Sequence, residues 1–243
     1  MTTDIELLSK RARIKAAKAE AGFFERPSPE KIRRAIDHTL LAAGTTSREI
    51  SDLCEEAVRF GFASVCIPPV FVPEAVRILS GTEVKVSTVA GFPLGASPLS
   101  IKTAEVIWAI ENGAQEIDFV VNLPAVKMGN KEALREELTA LREVSKGSVI
   151  KIILEMPILD DTQVITTLMM AERAGVDFVK TCTGFAGGVS FYHVALLKTA
   201  ASDRIRIKAS GGIRTYKSAE ILVALGADRL GTSKATQFIT PLE

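Results

Sequence analysis

The sequence of 243 residues has few side chains that bind transition metals, with two histidines, His38 and His193, and three cysteines. Cys54, Cys66 and Cys182 are odd in number and form no Cys-x-x-Cys pair, which predicts reduced thiols in a cytoplasmic enzyme. We expect Cys66 and Cys182 to be small buried side chains rather than nucleophiles. Nitrogen and sulfur ligands are too few for a typical zinc site. A magnesium site built from oxygen ligands remains open, but no motif indicates one, so we expect neither metal nor cofactor.

Excess charge and long apolar runs are also missing. The sequence has 30 Lys and Arg against 29 Asp and Glu, so no net field attracts nucleic acid or an anionic membrane. No run approaches the roughly 18 to 20 apolar residues that a membrane span requires. Residues 1–24 mix acids and bases without a continuous apolar stretch, which argues against a signal peptide and predicts an amphipathic helix packed outside or below the main domain.

Hydrophobic residues make up 47% of the sequence, and they recur in a regular pattern. From Arg34 onward, short apolar segments alternate with longer segments of helical periodicity, several of which end at glycine. The eight candidate strands centre on AIDHTL, ASVCI, VKVSTVAGF, QEIDFVVN, VIKIILE, DFVKTC, RIRIKAS and DRLGTS. Such strand–helix units without a long linker predict a TIM (β/α)8 barrel over residues 31–243, preceded by a helical extension over residues 1–30.

Charged side chains recur on one face of the predicted strands. In RIRIKAS and EIDFVVN, charged or polar residues alternate with apolar ones, and alternate side chains of a strand point to opposite faces. Because helices cover the outside of a barrel, the charged face should line the interior, with acids and bases paired. This predicted interior set has four acids and four bases: Asp37, Glu116, Asp118 and Glu155, with Lys151, Lys180, Arg206 and Lys208.

Position along the strands separates structural from chemical roles within this set. Active sites of TIM barrels form at the C-terminal ends of the strands, whereas the opposite end contributes to stability. The residues near strand starts, which we expect to be structural, are Glu116, Lys151 and Arg206. The residues at or near C-terminal strand ends are Asp37, Asp118, Lys180 and Lys208.

Lys180 and Lys208 lie on consecutive predicted strands, whose backbones should be about 4.8 Å apart. A free lysine has a pKa of about 10.4 and cannot attack a carbonyl at neutral pH unless burial or a second cation disfavours its charged form. We interpret Lys180 as a Schiff-base nucleophile and Lys208 as the cation that activates it, although spacing leaves the reversed roles open. Asp118 is the candidate for proton transfer, and the alternative is an ionic partner of the lysines.

Glycine-containing turns follow the last two predicted strands, the usual phosphate-binding position in this fold. Gly211 and Gly212 come after the seventh strand, and Gly231, Thr232 and Ser233 come after the eighth. Backbone amides can approach an anion closely at such turns. We therefore expect a phosphate group to bind between these two loops.

Other side chains near the two lysines have predicted supporting roles. Thr183 and Gly184 follow Lys180 closely enough in sequence to contact a substrate bound there. Asp37, together with Thr39, is expected to orient Lys208 through the Asp37 carboxylate.

These motifs, in this order, resemble the class I, DeoC-like family of 2-deoxyribose-5-phosphate aldolases. The resemblance covers roughly residues 32–233 and includes IDHTLL (36–41), VCIPP (65–69), TVAGFPLG (88–95), EIDFVVN (116–122), KIILE (151–155), VKTCTGF (179–185), KASGGIR (208–214) and ADRLGTS (227–233). It implies a Schiff-base lyase that reversibly cleaves 2-deoxy-D-ribose 5-phosphate to D-glyceraldehyde 3-phosphate and acetaldehyde. The implied partners are a small phosphorylated sugar and an aldehyde, and we expect a homo-oligomer.

Motif position also carries residue roles into this sequence. The resemblance assigns Lys180 to the Schiff base, Lys208 to perturbation of its pKa and Asp118 to proton transfer. The residues that it places around the substrate hydroxyl and phosphate are Thr183, Gly184, Gly211, Gly212, Gly231 and Ser233. Cys66 and the pair of Asp37 and Thr39 take supporting positions.

Three positions depart from the family pattern. Family members often have serine where Cys182 and Lys234 stand, so a cation replaces a hydroxyl beside the expected phosphate. Some members carry a C-terminal tyrosine implicated in proton transfer, whereas the tyrosines here are Tyr192 and Tyr216. A proton-transfer step assisted by the tail is therefore left open, with no tyrosine assigned to it.

Two other functions are consistent with the same residues. One is a Schiff-base barrel aldolase that acts on another sugar phosphate. The other is a non-catalytic phosphate-binding barrel in which Lys180 is structural, and it predicts ligand binding without turnover. The combination of paired lysines with carboxylates at strand ends favours an enzyme.

Overall fold

The structure is a computed structural model that describes the backbone of residues 2–239 and the side chains of residues 4–239. In this part of the chain, eight parallel strands close into a barrel in sequence order, which confirms the predicted TIM barrel. The strands are β1 (Ile36–Thr39), β2 (Ser64–Ile67), β3 (Lys85–Ala90), β4 (Glu116–Val120), β5 (Val149–Ile153), β6 (Phe178–Lys180), β7 (Arg206–Ser210) and β8 (Arg229–Thr232). The C-terminal tail, residues 240–243, lies outside the described residues.

Helices connect the strands and cover the outside of the barrel. They are α1 (Thr2–Glu20), α2 (Pro29–Arg34), α3 (Ser47–Phe60), α4 (Val72–Ile78), α5 (Leu99–Glu111), α6 (Leu123–Met128), α7 (Lys131–Val144), α8 (Asp161–Arg173), α9 (Phe191–Ala200) and α10 (Tyr216–Ala224). Short 3-10 turns at Pro69–Phe71, Met156–Ile158 and Ala235–Gln237 lie in three of the loops.

Helix α3 shows how local sequence sets these boundaries. The Glu49 amide donates to the Thr46 hydroxyl, while the Glu49 carboxylate accepts from the Thr46 amide at 2.8 Å. This reciprocal capping box satisfies donors that an open first turn would leave unpaired. Ile50 and Leu53 are buried on the inner face, and the helix stops at Gly61, which takes a left-handed φ of 64°.

Helix α1 packs mainly on α9, with further contacts to α8 and α10. Its buried side chains are Ala12, Ala16 and Ala19, which recur at helical spacing and let the two helices approach closely. The extension thus lies on the outer surface of the barrel. No helix in the described range is long and apolar enough to cross a membrane.

The apolar core lies between the strands and the helices. Ile117 and Phe119 of β4 and Ile207 and Ala209 of β7 are completely or almost completely buried in it. The intervening residues of the same strands point into the barrel, and these are charged. Strand alternation therefore separates an apolar outer layer from an ionic interior.

Candidate active site

A single carboxylate, that of Asp118 on β4, lies at the centre of three lysines inside the barrel. Lys151 donates to its Oδ1 at 2.9 Å, and Lys180 and Lys208 donate to its Oδ2 at 2.8 and 2.7 Å. Strand register produces this arrangement, because Asp118 pairs with Lys151 across β4 and β5, and Lys180 pairs with Lys208 across β6 and β7. All four side chains are buried.

Two more acids and an arginine extend this group toward the bottom of the barrel. Glu116 lies 2.6 Å from the Lys151 ammonium and accepts from Arg229 Nη2 at 2.9 Å. Asp37 lies 2.5 Å from the Lys208 ammonium and accepts from Arg229 Nε at 2.6 Å. We call these seven residues the charged cluster: Asp37, Glu116, Asp118, Lys151, Lys180, Lys208 and Arg229.

The charged cluster contains four bases and three acids. Lys151, Lys208 and Arg229 each contact two carboxylates. Among the described residues, Lys180 contacts one carboxylate, that of Asp118. With every base protonated the cluster therefore has one surplus positive charge, and Lys180 is its least neutralised member.

The electrostatic environment fixes the ionisation of two residues in the cluster. Burial opposes ionisation of Asp118, but the ammonium groups of Lys151, Lys180 and Lys208 outweigh it and hold its pKa well below the usual range. Burial also disfavours the charged form of Lys208, yet Asp118 and Asp37 more than offset it and raise the Lys208 pKa. Asp118 is therefore a carboxylate and Lys208 a cation at neutral pH.

The charged cluster differs from the predicted interior set in two members: it lacks Glu155, whose carboxylate contacts Thr183, and it has Arg229 in place of Arg206. Arg206, expected inside the barrel, is the exposed first residue of β7, with its guanidinium 4.1 Å from the centre of the Phe178 ring.

The prediction for Arg206 was wrong because alternation gives the direction of a side chain but not its height. Arg206 lies two residues below Lys208, whereas Arg229, although it is also the first residue of its strand, pairs with Lys208 itself. Arg229, which the interior set omitted, takes that place, and its alternation with Gly231 in DRLGTS could have indicated it.

Two glycines make room for the site. A Cβ on Gly231 would lie 2.8 Å from Ser210 Cβ and 3.2 Å from Lys208 Cε. A Cβ on Gly211, whose φ is 97°, would lie 2.8 Å from Cys182 Sγ. Any side chain at either position would displace its neighbours, so the glycines are required by close approach.

A cavity of about 590 Å³ opens above the charged cluster at the C-terminal ends of the strands. Lys180 lines it, whereas Asp118 and Lys208 lie beneath and do not. The predicted binding residues that line it are Thr183, Gly184, Gly211, Gly212, Gly231 and Ser233. The structure thus brings the predicted substrate loops together around the end of one lysine.

Further residues of the cavity wall were not predicted or had only minor predicted roles. Arg214 and Lys234 add two cations on the side of the glycine turns. His38 lies on another part of the wall, 2.7 Å from the Glu56 carboxylate through Nε2. The signal for Arg214 was present in the SGGIR segment, where it follows the two glycines.

The predicted supporting residues take separate positions. Asp37 forms the expected ion pair with Lys208, whereas Thr39 lines the cavity and donates to the backbone oxygen of Asp37 at 2.8 Å. Cys66 Sγ is 4.0 Å from Asp118 Oδ2, and burial raises the pKa of its thiol. Burial likewise raises the pKa of Cys182 to about 11, so both thiols are neutral, as small buried side chains should be.

Comparison with known proteins decides the family. Residues 31–230 match the DeoC/LacD family of aldolases. The chain belongs to this family. Lys180, Lys208 and Asp118, which the sequence motifs single out, all lie within the matched range.

Relatives in the DeoC/LacD family match over most of their own length. A deoxyribose-phosphate aldolase of Geobacillus sp. is 44% identical over 86% of this chain and 94% of its own. One from Carboxydothermus hydrogenoformans is 44% identical over 88% of this chain and 96% of its own. A tetrameric deoxyribose phosphate aldolase from Aeropyrum pernix has a TM-score of 0.82 at 33% identity, covering 96% of this chain and 95% of its own.

Proposed function

We propose that Lys180 carries out the reaction of a class I deoxyribose-phosphate aldolase, the reversible cleavage of 2-deoxy-D-ribose 5-phosphate to D-glyceraldehyde 3-phosphate and acetaldehyde. One observation supports this most directly. Lys180 is the member of the charged cluster that both lines the cavity and has a single carboxylate partner among the described residues. The membership of the chain in the DeoC/LacD family and the deoxyribose-phosphate aldolases among its relatives support the same substrate.

In this mechanism, one proton leaves Lys180, and the charged cluster then has equal numbers of positive and negative charges. The free amine attacks C1 of the open-chain sugar, and loss of water from the carbinolamine gives the Schiff base. Removal of the proton from the C3 hydroxyl then breaks the C2–C3 bond, releases glyceraldehyde 3-phosphate and leaves an enamine on Lys180. Protonation at C2 and hydrolysis release acetaldehyde and restore the amine.

Lys208 and Asp118 have complementary proposed roles. Lys208 remains charged, since its pKa is raised, and its positive charge favours the neutral form of Lys180 beside it. Asp118 starts as a carboxylate 2.8 Å from Lys180 Nζ, so it enters proton transfer as an acceptor, directly or through a water molecule. The alternative, an ionic role alone, predicts that Asp118 substitution changes structure without changing the proton-transfer steps.

We assign the phosphate to the part of the cavity between the loops after β7 and β8. Gly211, Gly212 and Ser233 line that part, and Arg214 and Lys234 supply positive charge. Backbone amides in glycine turns, together with cations, are suited to bind a phosphate group. Because the chain has almost no net charge, this local concentration of cations would attract the anionic substrate.

The decisive test of the nucleophile is chemical trapping. Acetaldehyde and borohydride should leave a reduced ethyl adduct on Lys180, located by peptide mass spectrometry. Lys180→Met should remove the adduct, while Lys234→Met, which changes another lysine of the cavity wall, should keep it. An adduct on a different lysine of the wild-type protein, or none, would refute the assignment.

We also propose the organisation and setting of the chain. Residues 1–30 form an extension on the catalytic barrel of residues 31–243, consistent with the packing of α1 on α9. A cytoplasmic location is supported by three buried free thiols. A homo-oligomer is supported by the tetrameric Aeropyrum pernix relative, and light scattering during gel filtration would test it.

A further inference from the structure

Glu155, which follows β5, has an unusual backbone conformation. Its φ and ψ are 56° and 53°, and no other non-glycine residue among those described has a positive φ. Such a conformation is unfavourable for a non-glycine residue and persists only where surrounding contacts maintain it. The contacts of Glu155 on both sides of this residue account for it.

The backbone around Glu155 forms a bulge against β6. The Leu154 amide donates to the Lys180 carbonyl at 3.0 Å, and the Met156 amide donates to the next carbonyl, that of Thr181, at 2.9 Å. The two amides are two residues apart in sequence, whereas the two carbonyls that accept from them belong to adjacent residues. Glu155 is the extra residue, and bulges of this kind redirect a side chain next to an active site.

The redirected carboxylate reaches Thr183 in the loop after Lys180. Both Glu155 oxygens lie 3.3 Å from the Thr183 amide nitrogen, and the Thr183 hydroxyl donates to Oε2. Glu155 is buried, with 2% of its surface exposed. In the described part of the chain no Lys, Arg or His lies within ion-pairing distance of it. Its principal partners are the two donors of one threonine.

This contact fixes the direction of the Thr183 hydroxyl. A hydroxyl has one proton to donate and two lone pairs that accept. Its proton goes to Glu155, and one lone pair accepts from the Phe185 amide at 3.0 Å. Thr183 lines the cavity close to Lys180. The remaining lone pair can therefore accept a hydrogen bond from a ligand, but the hydroxyl has no proton left to give.

We propose that Glu155 is a positioning residue that holds the Thr183 hydroxyl as a hydrogen-bond acceptor for a hydroxyl group of the sugar phosphate. The bulge and the left-handed conformation exist to deliver this carboxylate. The inference rests on the proposed function, since it concerns recognition of the same substrate. It makes the site selective for substrates that can donate a hydrogen bond at this position.

A double-mutant cycle between Glu155 and Thr183 tests the inference. Glu155→Asn keeps a residue type that tolerates the left-handed region, but it shortens the side chain by one carbon and replaces the carboxylate with an amide. Thr183→Val removes the hydroxyl at nearly constant size. The measured quantity is kcat/KM for cleavage of 2-deoxy-D-ribose 5-phosphate by the wild type, both single variants and the double variant.

Glu155→Asn should lower kcat/KM by about tenfold or more, the usual effect of losing a hydrogen bond to a charged group. Added to Thr183→Val, it should cause at most about a threefold further loss, because residues that act through one contact are not additive. Glu155→Gln, whose amide oxygen can still accept from Thr183, should recover most of the activity. Equal losses in both backgrounds, or no loss in the Asn variant, would overturn the inference.

A separate measurement distinguishes this inference from the function on which it rests. Acetaldehyde has no hydroxyl, so reductive trapping on Lys180 should reach the wild-type extent in Glu155→Asn. Trapping to that extent would also show that the barrel of the variant is intact. If that variant does not fold, Glu155→Gly, which adopts the same backbone without strain, replaces it in the cycle. Failure of trapping in the wild type would refute the aldolase mechanism, whereas an additive cycle with intact trapping refutes the role of Glu155 alone.

Discussion

Lysine and carboxylate groups are buried together in two regions, the charged cluster inside the barrel and the Lys102–Glu137 pair between α5 and α7 outside it. Lys102 donates to Glu137 Oε1 at 2.7 Å and to the Val120 carbonyl at 2.8 Å, and Glu137 Oε2 accepts from the Asn122 amide at 2.7 Å. This pair has one acid for one base and is sealed from solvent. The charged cluster has a surplus base beside a cavity.

A structural lysine differs from a reactive one in the ratio of bases to acids around it and in its access to the cavity. Burial alone does not make a lysine reactive, because Lys102 is completely buried and fully matched. A reactive amine needs a proton that the site can lose without leaving a carboxylate unpaired. Lys180 meets this condition because Asp118 keeps Lys151 and Lys208 as partners when Lys180 changes.

The largest expected effect is that of Lys180→Met on activity. Loss of the nucleophile should lower kcat for deoxyribose phosphate cleavage by about four orders of magnitude or more. The free energy of unfolding should change by less than about 1.5 kcal/mol, because the cluster then has equal acids and bases and Met fills similar volume. Coupled assays of glyceraldehyde 3-phosphate and urea unfolding measure the two quantities, and a large loss of stability would contradict the surplus-charge account.

Lys102→Met should show the opposite pattern. It leaves the Glu137 carboxylate buried without its cation and should lower the free energy of unfolding by about 3–5 kcal/mol. The folded enzyme should retain an acetaldehyde adduct on Lys180. The double variant Lys102→Met/Glu137→Gln should recover part of the stability in urea unfolding, because the amide oxygen still accepts from Asn122; no recovery would show that the loss is not an unpaired charge.

Lowering the pH should reduce the free energy of unfolding gradually, through the carboxylates of the barrel interior. Asp37 and Asp118 both have pKa values held below the normal range, by Arg229 and Lys208 and by the three lysines respectively, against the opposing effect of burial. Their contribution is present above the unfolded pKa of about 3.9 and is lost as pH falls toward the folded values, at up to about 1.4 kcal/mol per pH unit for each group. Urea unfolding between neutral pH and pH of about 3 should show this decline.

Asp37→Asn provides the matched variant for the acid experiment. With one titrating group fewer, its stability should fall less steeply below about pH 4 than that of the wild type, even though its stability at neutral pH is lower. Equal slopes in the two proteins would mean that Asp37 does not contribute to the acid dependence.

Alternation and strand order were enough to predict the barrel and the direction of most interior charges from the sequence. Lys180, Lys208 and Asp118 were identified because the sequence pattern places them at or near C-terminal strand ends. In the structure Lys180 ends β6, whereas Asp118 and Lys208 are the middle residues of β4 and β7. The exchange of Arg206 for Arg229 was not foreseen, since height in the barrel depends on strand register rather than on alternation. Register emerges only when all strands pair.

Two other features depend on local geometry that periodicity does not encode. Lys102 lies in α5, a helix rich in apolar residues, and nothing in its spacing identifies Glu137 of α7 as its partner. The bulge at Glu155 interrupts alternation after β5, so the contact with Thr183 follows from a backbone conformation that the sequence pattern does not indicate. Both contacts join residues from different βα units.

The Asp37–Arg229 contact joins the first strand to the last, across 192 residues of sequence. It can form only after β8 has docked against β1, so the anchor of Lys208 is completed by the final step of barrel closure. A chain still lacking its last strand would have the three lysines and their three carboxylates, but not Arg229, the fourth base that gives the charged cluster its surplus positive charge. The surplus charge that distinguishes Lys180 is thus present only once the first and last strands are paired.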